Sequence, residues 1–103
     1  MGLIITATES KKIEAKGFDG AITELESVYA RLEFVSRPDG KSIETAFPYT
    51  FLTKEAYKLQ APIVQTNIPQ AAAGEVLEQS LFNAHKIAAD YLTAQGFEVE
   101  IDI

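Results

Sequence analysis

Ser27-Val28-Tyr29-Ala30-Arg31-Leu32-Glu33-Phe34-Val35-Ser36 leads through Arg37-Pro38-Asp39-Gly40 into Ile43-Glu44-Thr45-Ala46-Phe47-Pro48-Tyr49-Thr50-Phe51. Val28, Ala30, Leu32 and Phe34 alternate with Tyr29, Arg31 and Glu33 at the period of two that puts one set on each face of a sheet, so residues 27–37 read as a strand. Pro38 suits the first central position of a type I turn, and Gly40 tolerates the positive φ that closes a hairpin with a bulge. Ile43, Thr45, Phe47, Tyr49 and Phe51 then alternate with Ser42, Glu44, Ala46 and Thr50, giving a second arm and a long β-hairpin. Arms of about ten residues reach roughly 33 Å at ~3.3 Å per residue, so such a hairpin crosses a domain of this size or protrudes from it. Pro48 has no N–H to give a ladder and marks the second arm as an edge at that point.

Outward from the hairpin, Leu3 to Thr8 is a β-branched run and reads as a strand, and residues 12–16 as a weaker strand followed by a loop through Gly17 and Gly20. Thr53 can cap a helix of a turn or two through Lys58, stopped by Pro62. Residues 63–66 read as a brief extended segment. Over residues 75–95, Leu77, Leu81, Ala84, Ala88 and Tyr91 recur at spacings of three and four, with Ser80 and Ile87 beside them, which predicts a long amphipathic helix. It starts between Gln70 and Gly74, carries Glu75 and Glu78 where negative charge suits the dipole, and ends at Gly96. Phe97, Val99, Ile101 and Ile103 alternate with Glu98, Glu100 and Asp102, predicting a last strand with one buried and one acidic face. The expected fold is α+β, a single domain over residues 1–103: a mainly antiparallel sheet with a long β-hairpin and one long amphipathic helix packed on a face.

Composition narrows the chemistry. The 103 residues are one domain's worth, 47% hydrophobic and 23% charged, which is the make-up of a globular protein. Nine basic against 15 acidic side chains give a net charge of −6, the wrong sign for neutralising phosphates, so direct nucleic-acid binding is not expected. Nearly all of the imbalance falls in residues 74–103, where an acidic face could meet a basic neighbour or simply remain solvated. The chain has no cysteine, which removes disulfides, thiolate catalysis and Cys-ligated zinc together. Met1-Gly2 with Thr6 matches a short myristoylation motif, but Leu3 to Ile5 read more naturally as the start of a strand. No basic leader and no apolar run of ~20 residues is present, so a cytoplasmic location without membrane association is expected.

His85 is the only side chain expected to titrate near neutrality. Its helical neighbours Leu81, Phe82, Ala88 and Ala89 can neither orient nor charge it, so a structural histidine is expected there. No nucleophile elbow, phosphate loop or calcium loop occurs. Glu98, Glu100 and Asp102 stand about 7 Å apart along one strand face, too wide for a single cation without further ligands. No catalytic residue, cofactor or metal is therefore expected. Phe47, Tyr49 and Phe51 project to one face of an edge arm, which is covered either internally by the long helix or by a second subunit. With Glu98, Glu100 and Asp102, they are the candidate protein-interface residues.

Ser27 to Phe34, Asp39-Gly40-Lys41, Thr53-Lys54-Glu55-Ala56-Tyr57 and the closing Gly96-Phe97-Glu98-Val99-Glu100-Ile101 together resemble small virion proteins of tailed bacteriophages. The similarity covers about the last three quarters of the chain, and residues 9–26 depart most from the pattern. The resemblance implies a non-enzymatic building block of the tail, neck or connector, working through repeated contacts with copies of itself and with other virion proteins. It also implies a homo-oligomer located in the virion and assembled in the host cytoplasm. Two rival classes are a small cytoplasmic adaptor or regulatory module, whose aromatic edge would accept a peptide, and a minor enzyme or enzyme subunit, which would need His85 in a pocket with a carboxylate or amide beside it.

Overall fold

A computed structural model describes residues 1–17, 19–36, 43–72 and 81–103, and of residues 36, 43–45, 71–72 and 81–83 the backbone alone. The turn expected at Arg37-Pro38-Asp39-Gly40, the helix positions Glu75, Leu77, Glu78 and Ser80, and the side chain of Leu81 lie outside the described residues. The elements are β1 (Gly2–Thr6), β2 (Ile13–Lys16), β3 (Ile22–Leu25), β4 (Ser27–Ser36), β5 (Ile43–Phe51), α1 (Lys54–Lys58), β6 (Ala71–Ala72), α2 (Leu81–Ala94) and β7 (Glu98–Asp102). They form a mainly antiparallel sheet in the order β6-β5-β4-β1-β7 and a separate two-stranded sheet, β2-β3, so the protein is α+β.

β4 and β5 pair antiparallel from Tyr29↔Phe51 to Ser36↔Ile43, with an irregularity between Val35 and Ser36. β1 is central, pairing with β4 through Ile4↔Tyr29 and with β7 through Ile4↔Glu100. Paired residues share a face, so one face of the sheet carries Leu3, Ile5, Val28, Ala30, Ala46, Val99 and Ile101. The other carries Tyr29, Arg31, Glu33, Phe47, Tyr49, Phe51, Glu98, Glu100 and Asp102. α2 covers the first face. Its Ala84, Ala88, Ala89 and Leu92 are buried, and the core joins Ala88, Ala89 and Leu92 to Leu3, Ile5, Val28, Ala30 and Ala46. Small residues on both sides let the helix lie close to the sheet, as dense packing requires.

The helix expected over residues 75–95 is described over 14 residues, with Ala71 and Ala72 preceding it as a two-residue strand on β5. Its end follows the expectation. Gly96 takes φ +109, its N–H donates to the Thr93 carbonyl, and Phe97 N–H donates to the Leu92 carbonyl. These are the paired bonds of a Schellman stop, closed by burial of Leu92 and Phe97 together.

The loop expected after residue 16 is instead half of a hairpin, in which Ile13 pairs with Leu25 and Lys16 with Ile22 around Gly20 at φ +81. Among the described residues of that hairpin only Ile13 and Ala15 are buried, and β3 exposes Ile22, Thr23 and Glu24, so its sequence lacks the alternation that reveals a half-buried strand. Residues 64–67 join this hairpin to the main sheet. Val64 N–H donates to the Thr50 carbonyl, Lys16 N–H to the Gln65 carbonyl and Asn67 N–H to the Glu14 carbonyl. The Asn67 amide closes the seam by accepting from Glu14 N–H and donating to the Lys12 carbonyl.

Thr50 thus turns its backbone outward to residue 64, and Ala46 turns its backbone to Ala71. Pro48, two residues from each, shares that direction, so its missing N–H falls on the free side of β5 and removes no bond to β4.

Candidate functional site

The six residues singled out in the sequence lie on one surface, the sheet face opposite α2, with Phe47, Tyr49 and Phe51 toward one edge and Glu98, Glu100 and Asp102 on the other edge strand. The long helix does not cover the aromatics. The register Ala30↔Thr50 and Phe34↔Ala46 places the small residues of β5 on the core face, where Ala46 joins the cluster of Ala88, Ala89 and Leu92 and Thr50 is buried against Val64 and Thr66, and sends the large rings to the other side. Apolar character therefore misleads on β5: the core face takes its alanine against α2 and its threonine against residues 64–66, where the hydroxyl finds a carbonyl.

α1 is the partial cover. Thr53 caps it by accepting from Ala56 N–H at 3.0 Å, which directs Tyr57 onto the sheet. The Tyr57 ring lies 5.1 Å from Phe51, edge-on, and 5.7 Å from Tyr29. The Arg31 guanidinium stands 4.9 Å from the Tyr57 ring centre, a cation–π contact. Its pKa is raised by a hydrogen bond with Tyr29, against the opposing effect of burial. At the far end of α1, Lys54 Nζ meets Asp102 at 2.6 Å, fastening the helix across the face to β7. This contact raises the Lys54 pKa and lowers that of Asp102.

Asp102 is thus committed within the chain, whereas Glu98 and Glu100 are exposed. Phe51 is buried and Phe47 half-buried, while Tyr49 keeps 38% of its surface and directs its hydroxyl to Glu33 at 3.3 Å. Val35 is exposed on the same side, so along β4 the face opens from buried Tyr29 through Arg31 to exposed Glu33 and Val35. Tyr29, Arg31, Tyr57 and Lys54 belong to this surface and were not singled out in the sequence. The alternation on β4 places Tyr29 and Arg31 away from the core, but contact with Tyr57 depends on the fold of residues 52–58.

His85 sits on α2 with 2% of its surface exposed, its ring edge-on to Phe34 with centroids 5.3 Å apart. Ile103, expected on the buried side of the last strand, lies just beyond β7 and is exposed. Among the described residues, no group of three or more His, Cys, Asp or Glu side chains is placed to hold a metal ion.

Comparison of the chain with known protein families, with curated proteins and with solved structures finds no match. Among the described residues no helix is long and apolar enough to cross a membrane.

Proposed function

We propose that the protein is a non-enzymatic structural or assembly component of a tailed-bacteriophage virion, acting in the tail or head–tail connector through repeated contacts with copies of itself and with other virion proteins. The observation that carries this reading is the sheet face opposite α2, where half-open aromatics, exposed Val35 and the acids Glu98 and Glu100 share one surface beside the edge strand β7. Exposed apolar side chains grouped with charge on a flat sheet suit docking to another protein better than holding a small substrate. In this reading β4 and β5 close through residues 37–42 into a hairpin reaching a neighbour, and a helix longer than its described 14 residues backs the sheet. The protein acts in the particle, assembled in the host cytoplasm, with neither nucleic acid nor membrane as a direct partner.

The test is co-expression with the products of adjacent genes, followed by sizing of the complexes. Reversing Glu98 and Glu100 to lysine, together with Tyr49→Ala, should leave the fold intact by circular dichroism and abolish higher-order assembly. Unaltered assembly would return this face to a role in solubility.

The adaptor reading draws on the same edge, since among the described residues β7 pairs on one side only and could take an extended peptide as an added strand. A monomer that forms a one-to-one peptide complex and nothing larger would favour it.

A further inference from the structure

Among the described residues β7 pairs with β1 alone, so one of its sides carries no ladder. Ala7 N–H donates to the Glu26 carbonyl, in register with Thr6↔Ser27, so the odd residues of β1 bond β4 while Gly2, Ile4 and Thr6 bond β7. Their partners Asp102, Glu100 and Glu98 therefore direct their backbone inward, and the N–H and carbonyl groups of Val99 and Ile101 point off the edge. Val99 and Ile101 pack against the core yet are only half-buried. Between them and Ala89 and Thr93 of α2 runs an open groove of about 530 Å³. One more strand would extend the ladder and complete the cover of these side chains.

Alternation fixes the chemistry of that strand, whichever way it runs. Its side chains opposite Val99 and Ile101 enter the groove, where Lys86 and Asp90 stand one helical turn apart with opposite charges and give no net sign, so apolar side chains suit it. Its side chains opposite Glu98 and Glu100 lie on the face away from α2, beside two exposed carboxylates. Asp102, the third acid on that face, is already matched by Lys54. In an antiparallel pair, Glu98 and Glu100 occupy the positions where Cα atoms approach to about 4.5 Å, so a base opposite them is favoured and an acid opposed.

No edge strand among the described residues of this chain is of that kind. Two β7 strands paired antiparallel would set Glu100 against Glu98, Glu100 or Asp102 of the copy. The outer side of β5 is taken by Val64 and Ala71 and interrupted by Pro48, and Glu24 is the one charged residue of β3. We propose that β7 binds, by strand addition, an extended segment of a different protein in which basic and apolar residues alternate, the bases against Glu98 and Glu100 and the apolar side chains in the groove beside Ala89 and Thr93. This rests on the docking reading of that face and deepens it by naming the edge and the chemistry of the partner.

Amide exchange and an NMR titration of the full chain test it, with the acetylated and amidated peptide Thr-Lys-Val-Lys-Val-Lys-Thr as probe. In the free protein the Val99 and Ile101 amides should exchange faster than those of Glu98 and Glu100, and millimolar peptide should slow the first pair to the rate of the second. A peptide with Glu in place of Lys, or with the same residues in blocks, should bind at least about tenfold more weakly. Glu98→Lys combined with Glu100→Lys should reverse the preference and select the acidic peptide. Val99 and Ile101 amides left unprotected by the basic peptide, equal binding of basic and acidic peptides, or shifts centred on β3 or α1 would each overturn strand addition. Co-expression reads the docking face separately. Assembly that is lost on changing Glu98, Glu100 and Tyr49, in a protein that does not bind the peptide, would refute the added strand and leave the docking reading standing. Peptide binding beside unaltered assembly would do the reverse.

Discussion

Tyr29 lies directly over Gly2. A Cβ placed on Gly2 would stand 2.5 Å from the Tyr29 hydroxyl oxygen and 2.7 Å from the Ala30 carbonyl oxygen. The glycine leaves room for a phenol that also hydrogen-bonds Arg31 and packs beside Tyr57, so the aromatic side of the sheet depends on a missing side chain in β1.

Gly2→Ala is expected to cost about 1–3 kcal/mol through overpacking, read as a shift in the chemical-denaturation midpoint. Tyr29→Phe in the same chain should recover only part of this cost, because the Ala30 carbonyl remains too close. Full recovery would show that the hydroxyl alone sets the limit.

Leu92 is almost completely buried where α2 meets the sheet and forms the apolar half of the helix stop with Phe97. Leu92→Ala should destabilise the protein by about 2–5 kcal/mol. A loss below ~0.5 kcal/mol in urea unfolding would mean that α2 faces the sheet through other residues.

Gly96 holds φ +109, and a Cβ there would come within 3.1 Å of the Lys11 side chain. Gly96→Ala should cost about 1–3 kcal/mol, chiefly from the backbone conformation. Thermal unfolding of Gly96→Ala beside a Gly20→Ala control separates the two causes: Gly20 also has positive φ, but a Cβ there meets nothing within 4 Å. Equal losses would assign the whole effect to the backbone.

The Lys54–Asp102 contact predicts pH dependence at both extremes. Asp102 has a lowered folded-state pKa, so its contribution to stability is complete above the ordinary carboxylate pKa of about 3.9 and disappears as pH falls through the folded value. Lys54 has a raised folded-state pKa, so its contribution is complete below the ordinary lysine value of about 10.4 and disappears as pH rises through the folded value. Both groups are solvent-accessible, so the test is the titration itself. In carboxyl-detected NMR, Asp102 should titrate lower in the wild type than in Lys54→Ala, and identical curves would remove the contact from solution.

The sequence alone determined the strand character of β4 and β5, the caps at Thr53 and Gly96, and the division of β4 into a core side and a polar side. Each follows from local geometry: alternation, a side-chain oxygen reaching N–H groups, or a left-handed backbone that glycine adopts freely. The same alternation placed the acids of β7 on one face. Tertiary structure decided the rest. Whether the aromatic or the small residues of β5 face the core depends on strand register and on which elements cover each face, neither of which is encoded within nine residues. β3 and β6 are strands because of what they pair with, not because of their own pattern. Asp102 differs from Glu98 and Glu100 only because α1 brings Lys54 across the face to meet it. Local preferences set the conformation of each segment, whereas the choice of buried face is a property of the whole packed chain, since burial is gained only when separate elements meet.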